Sequence, residues 1–390
     1  MTTPQICAGR FRANPAYRLV RREQMSAADL REAGAAPDDA APYGCLRPRP
    51  GCGFAWRWLT PDSALLFLTL AEPGPVPVYL QARPPHELAR RLARLVLEDV
   101  LEIEQDGAFA SGVAALSAPR GDPDRSPGDP VTLSIAALQY GEALGALPHC
   151  DLTRRLYDYG RQPVSPRRAR QLPDNAAVEA FLGLSVRGSA QAVLERSWAP
   201  AGGADAYWRL WRPQHPQPSH EDVACKLYVS PAWSALPDAF LATAESLAAA
   251  PGVRGFKIAR DLAGLSRPDK LVAYFTRLDD LQEAGARLRS RLEGAPAHGV
   301  PFTAGLTRDG LLSWGADPPR RSPAGSVAGG SWRLWVANRL AESLLAARAT
   351  SGGPPPWRFA LARLQADGVD TDTWVPDPAL WRREPCELAL

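Results

Sequence analysis

Between Ala224 and Tyr274 the chain alternates short strand-like runs with one helical run, and this alternation limits the fold more than any other stretch. CKLYVSP, from Cys225 to Pro231, reads as a strand carrying Lys226. The next run reads as a helix, with Pro237 near its start and Gly252 past its end. VRGFKIARD and RPDKLVAYF read as further strands. The expected class is α+β: mixed or antiparallel sheets with packed helices, in two sub-domains. Arg254, Lys257, Arg260, Arg267 and Lys270 fall within seventeen residues, and Lys226 lies on the strand before them. Cations on adjacent strands can grip a phosphate or a carboxylate. Apart from Lys226, Lys257 and Lys270, the chain takes its cations from arginine, a bias that fits a high-GC genome.

With 390 residues and a 45% hydrophobic fraction, the chain can build two or three domains with sizeable cores. A formal net charge of +3 is too small for general nucleic-acid binding, so any basic site must be local. No pair among the six cysteines has CxxC spacing; Cys45 and Cys52 lack a nearby histidine, and His149-Cys150 has no second ligand pair. No metal site is expected. The start MTTPQICAGRFRANPAYRLV has no signal-peptide core, and no apolar run reaches the length of a membrane span. A cytoplasmic protein with reduced thiols is expected.

Residues 1–116 read as a hairpin-rich α+β domain, 117–130 as a Pro/Gly loop or linker, 131–200 as a helical, basic segment, and 201–390 as a C-terminal α+β domain carrying the candidate site. In the first, Ser26 caps a short helix. FAWRWLTPDSALLFLTL reads as a hairpin turning at Pro61-Asp62, Tyr79-Leu80 as a strand, and His86 to Leu101 as an amphipathic helix. LEIEQDGAFASG reads as a hairpin turning at Asp106-Gly107. Residues 174–200 suggest one helix. Arg154, Arg155, Arg161, Arg167, Arg168 and Arg170 make the most basic stretch, either a solvated helix face or a surface for an acidic or phosphorylated partner. Further on, 279–294 and 331–348 read as helices, 299–319 as two short strands around Asp309-Gly310, and VDTDTWVPDPALW as an irregular tail. Trp314, Trp332 and Trp335 read as core or groove lining.

RLYDYG, KLYVSP, FKIARD, RPDKLVAYF, GVPFTA, LLSWGADPP and SWRLWV occur in an order that resembles proteins of actinobacterial class V lanthipeptide clusters. The C-terminal half resembles, more remotely, the type III effector-like (HopA-type) phospho-Ser/Thr lyases of those clusters. Together the resemblance covers about half the chain. It implies a ribosomal precursor peptide as substrate and a partner kinase that phosphorylates it. It also implies β-elimination of phosphate to leave dehydroamino acids, without metal or organic cofactor.

That chemistry needs a base for the α-proton, an acid for the leaving phosphate, and cations to hold it. A lysine can be the base if burial or neighbouring cations depress its pKa. Lys257 is the first choice and Lys226 the second, as base or phosphate ligand. Arg254, Arg260, Arg267, Lys270 and Arg308 are candidate phosphate ligands, and His220, or equally His298, the candidate acid. Each has a plainer reading: an outward lysine, local Arg260–Asp261 or Arg267–Asp269 ion pairs, a turn at Arg308, exposed loop histidines. Two other functions are open. A zinc-independent cyclase would add a cysteine thiol to the dehydroamino acid, and a non-catalytic adaptor would bind the leader peptide.

Overall fold

The computed structural model describes residues 6–34, 42–105, 107–115, 126, 128–145, 147–201, 207–215, 225–318, 331–348, 355–378 and 380. It is a mixed helix and antiparallel-sheet protein, the α+β class read from the sequence.

The N-terminal part holds two small sheets. One has the order β5-β1-β6-β7, from β1 (Arg10–Ala13), β5 (Gly74–Pro75), β6 (Leu101–Gln105) and β7 (Ala108–Ala110). The other joins β2 (Tyr17–Arg21), β3 (Gly44–Pro48) and β4 (Arg57–Leu59) in chain order. The Pro85–Leu97 helix packs Leu88, Leu92, Leu95 and Val96 into their shared core. The β6–β7 hairpin and the Ser26 capping box match the sequence reading.

The Phe54–Leu70 hairpin is a correction. Only β4 is extended there, and Pro61–Thr69 is a helix. Thr60 accepts a hydrogen bond from Ser63 N–H, and Pro61 opens the first turn. A proline begins a helix as readily as it begins a turn, and the following ALLFL does not alternate. Tyr79-Leu80 belongs to a single 3-10 turn, not a strand. Residues 174–200 form two helices, Asn175–Phe181 and Ser189–Ser197, before an edge strand. The tail folds back as a two-stranded hairpin, β15 (Val369–Asp370) with β16 (Val375–Pro376).

The C-terminal sheet has the order β13-β14-β10-β12-β11-β9-β8 and is antiparallel throughout. Its strands are β8 (Trp198–Ala201), β9 (Trp208–Pro213), β10 (Cys225–Val229), β11 (Val253–Ala259), β12 (Leu271–Phe275), β13 (Ala304–Gly305) and β14 (Leu312–Ala316). Successive side chains alternate between faces, and paired residues share one. One face carries Leu227, Val229, Phe256, Ile258, Ala273 and Phe275. The Leu236–Ala248 and Leu278–Arg291 helices cover it with Phe240, Leu247, Leu281 and Leu288. The other face carries Lys226, Tyr228, Val272, Tyr274, Lys257 and Trp208.

Part of that second face is closed by the Trp332–Arg348 helix. Trp332 lies so near Gly315, the cross-strand partner of Lys226, that a Cβ on Gly315 would stand 2.1 Å from its ring. The same helix packs on His149–Tyr157 and Pro356–Ala366 around Leu152, Leu156, Val336 and Leu340. Pro356–Ala366 is held to the N-terminal part by Arg363–Glu98 (3.0 Å), while Arg94–Asp367 (3.8 Å) joins the Pro85–Leu97 helix to the residue that ends it.

Candidate active site

Lys226 and Lys257 share the half-covered face of the C-terminal sheet, with Tyr274 between them. Lys226 pairs directly with Tyr274 across β10 and β12, and its Nζ lies 5.4 Å from the Tyr274 ring. Lys257 Nζ lies 5.8 Å from the same ring and 3.9 Å from the ring of Trp208. The Arg267 guanidinium lies 5.6 Å from the Trp208 ring. Two cations on one indole concentrate positive charge while the π-face offsets part of the repulsion.

Lys226 and Arg267 are each held by a carboxylate. Lys226 Nζ is 2.6 Å from Asp317 Oδ2, and Asp317 Oδ1 accepts the Trp332 N–H that opens the helix. Arg267 grips Asp269 with Nε and Nη2 at 2.9 and 3.0 Å, and also donates to the Tyr157 hydroxyl at 3.1 Å. Arg333, 1% exposed, reaches the same carboxylate at 2.8 Å and donates to Pro301 O and Tyr157 O. Burial alone would raise the Asp269 carboxyl, but Arg333 and Arg267 outweigh it and hold it below the usual carboxylate range. The charge of Lys257 acts in the same direction, which places that lysine near the pair. Tyr228, on the strand of Lys226 and on the same face, is buried, and burial first and then the charge of Asp317 push its phenol well above the ordinary value while Arg333 pulls the other way.

The other sequence candidates are placed differently. Lys270 is fully buried, and its Nζ donates to Pro231 O (3.0 Å) and His298 Nδ1 (2.8 Å). It therefore ties that face of the sheet to the covering His298 segment, and its ammonium is not presented to a ligand. His298 donates through Nε2 to Gly160 O at 2.6 Å, so both ring nitrogens are engaged. Burial and then the Lys270 charge push His298 down to about 4. Arg260 lines a cleft of about 390 Å³ with Glu179 and Arg209, between β8–β9 and the two helices that precede them. Arg254 lies at the start of β11, beside the register shift between Val253 and Gly255. Arg308 is exposed in the β13–β14 turn, whose Gly310 takes φ +78°. His220 lies outside the described residues. The site reading therefore keeps Lys257, Lys226 and Arg267 together, and Asp317, Tyr157, Tyr228, Tyr274, Trp208 and Arg333 join them.

Burial pushes Lys270 down to about 7, well under its unfolded value of 10.5. Between those values the unfolded chain binds more protons than the folded one, so stability rises with pH. Below pH 7 both states are protonated and the penalty is constant. Unfolding free energy is expected to climb from pH 7 to 10 with a slope of at most about 1.4 kcal/mol per pH unit from this group. Lys270→Met should flatten that rise, as read by urea denaturation at several pH values.

No protein family and no curated protein matches the chain in sequence. In structure it is remotely similar to effector proteins and phosphothreonine lyases. An effector protein from Pseudomonas syringae pv. tomato strain DC3000 is 14% identical with a TM-score of 0.42, over 63% of this chain and 98% of that one. The phosphothreonine lyase SpvC from Salmonella is 16% identical with a TM-score of 0.27, over 46% and 89%. The type III effector and phosphothreonine lyase OspF from Shigella flexneri is 15% identical with a TM-score of 0.26, over 42% and 87%. No described helix is long and apolar enough to cross a membrane.

Proposed function

We propose that this protein modifies a ribosomal precursor peptide in a lanthipeptide pathway by eliminating phosphate from phosphoserine or phosphothreonine. One observation carries the reading: two of the chain's three lysines lie on one sheet face beside Arg267, with tyrosines between and around them. Lys226 is paired with Asp317, and Arg267 and Arg333 share Asp269.

Lys257 takes the α-proton as a neutral amine. Lys226 and Arg267 hold the phosphate and the charge that develops on the carbonyl oxygen. The Cβ–O bond then breaks, and phosphate departs from a dehydroalanine or dehydrobutyrine. A partner kinase supplies the phosphorylated peptide.

The test is mass spectrometry of a phosphorylated precursor peptide incubated with the protein. Loss of the mass of phosphoric acid is the expected result. An unchanged mass with loss of a free thiol on a dehydrated peptide would make the protein a cyclase. Binding with neither change would make it an adaptor and end the lyase reading.

A further inference from the structure

Elimination of phosphate needs a proton for the departing oxygen, and none of the described histidines is placed to give it from within the lysine cluster. His298 spends both ring nitrogens on Lys270 and Gly160. His86 belongs to the Pro85–Leu97 helix, His149 is 3.3 Å from Asn338 O, and His215 follows β9. Tyrosines are the neutral donors that do face the cluster. Tyr157 already donates to Asp269 Oδ2 at 3.3 Å and accepts from Arg267. Tyr274 is the platform between the two lysine ammonium groups. Tyr228 differs from both. It stands two residues from Lys226 on the same face, its ring packed by Val272 and Val300. Its phenol is 2% exposed, and its hydroxyl has no hydrogen-bond partner among the described residues. A buried tyrosine hydroxyl normally finds a partner, so one left open on the sheet face of Lys226, within the field of Asp317 and Arg333, is set to meet a ligand.

We infer that Tyr228 is a catalytic residue, the general acid that protonates the oxygen of the leaving phosphate. The inference rests on the lyase reading above. Lys257 gains the α-proton, the Cα–H electrons form the double bond, and the Cβ–O pair passes to the phosphate oxygen. That oxygen takes the Tyr228 proton, so hydrogen phosphate leaves rather than the strongly basic trianion. The protonated Lys257 then returns a proton to the tyrosinate through solvent, and the enzyme is restored. Burial raises the phenol well above its ordinary value, which keeps the proton in place until the phosphate oxygen demands it.

The experiment compares wild type and Tyr228→Phe on one peptide bearing either a serine phosphate or a serine sulfate ester. Sulfate is a weak base and leaves without a proton. Wild type that fails to eliminate phosphate refutes the lyase reading itself. Given an active wild type, Tyr228→Phe should lower kcat on the phosphate ester by about 10²-fold or more, with KM little changed. Elimination of sulfate should stay close to wild type. An equal loss on both esters, or no loss on phosphate, overturns the assignment. If wild type accepts only the phosphate ester, exchange of the α-proton in deuterated water replaces the sulfate arm. Exchange that survives in Tyr228→Phe while elimination is lost supports the acid role, and joint loss overturns it.

Discussion

Lys257→Ala is expected to lower elimination from a phosphopeptide by about 10³-fold, within the range for losing a general base. The side chain is half-buried, with its ammonium over the faces of Trp208 and Tyr274. Alanine alone does not separate a base from a phosphate clamp, but arginine does. Lys257→Arg keeps a cation over Trp208, and its guanidinium stays protonated at any working pH. The arginine variant should therefore bind the phosphopeptide with near wild-type affinity and remain as inactive as the alanine variant. Substantial turnover by Lys257→Arg would assign Lys257 to phosphate binding and leave the base to be sought at Lys226. Calorimetric binding beside single-turnover elimination separates these results.

The lysines were legible because strand parity and residue scarcity agree. Lys226 and Lys257 lie on strands whose alternate residues, Leu227 and Val229, Phe256 and Ile258, are plainly apolar. Parity also puts Tyr228 on the Lys226 face, a signal present in KLY but unused. Parity cannot report depth. Lys270 follows the same alternation as Val272 and Tyr274, yet it lies where the segment of His298 covers the sheet. One face thus offers two lysines and buries a third, and only the covering segment decides which.

The misread hairpin has a related cause. Thr60-Pro61-Asp62 serves equally as a turn or as the capped first turn of a helix. What decides between them is the packing of Ala64, Leu66 and Phe67 into the N-terminal core, a long-range fact. Arg333 had no local signal at all. It sits in a helix among other arginines, and nothing in SWRLWV marks it as the one that reaches Asp269 sixty-four residues earlier.

Arg333→Met is expected to lower the unfolding free energy by about 3 kcal/mol, the low end for breaking a buried ion pair by removing one partner. The low end applies because Arg267 still holds Asp269 through two hydrogen bonds. The loss has two parts: a buried carboxylate short of one cation, and the carbonyls of Pro301 and Tyr157 without their donor. The parts can be separated, since Asp269→Asn in the Arg333→Met background removes the first and leaves the second. Urea denaturation should show the double variant more stable than Arg333→Met alone. If the double variant is the less stable of the two, Asp269 is supported by Arg267 alone, and Arg333 acts only as a strut between the helix and the 298–303 segment. Elimination should also fall in Arg333→Met, because the Tyr157 backbone is anchored by Arg333 and its hydroxyl orients Arg267. That dependence makes Arg333 a positioning residue, and Arg333→Lys tests it. Lysine restores the charge but not the fork that spans Pro301 O, Tyr157 O and Asp269, so it should recover stability in part and activity less.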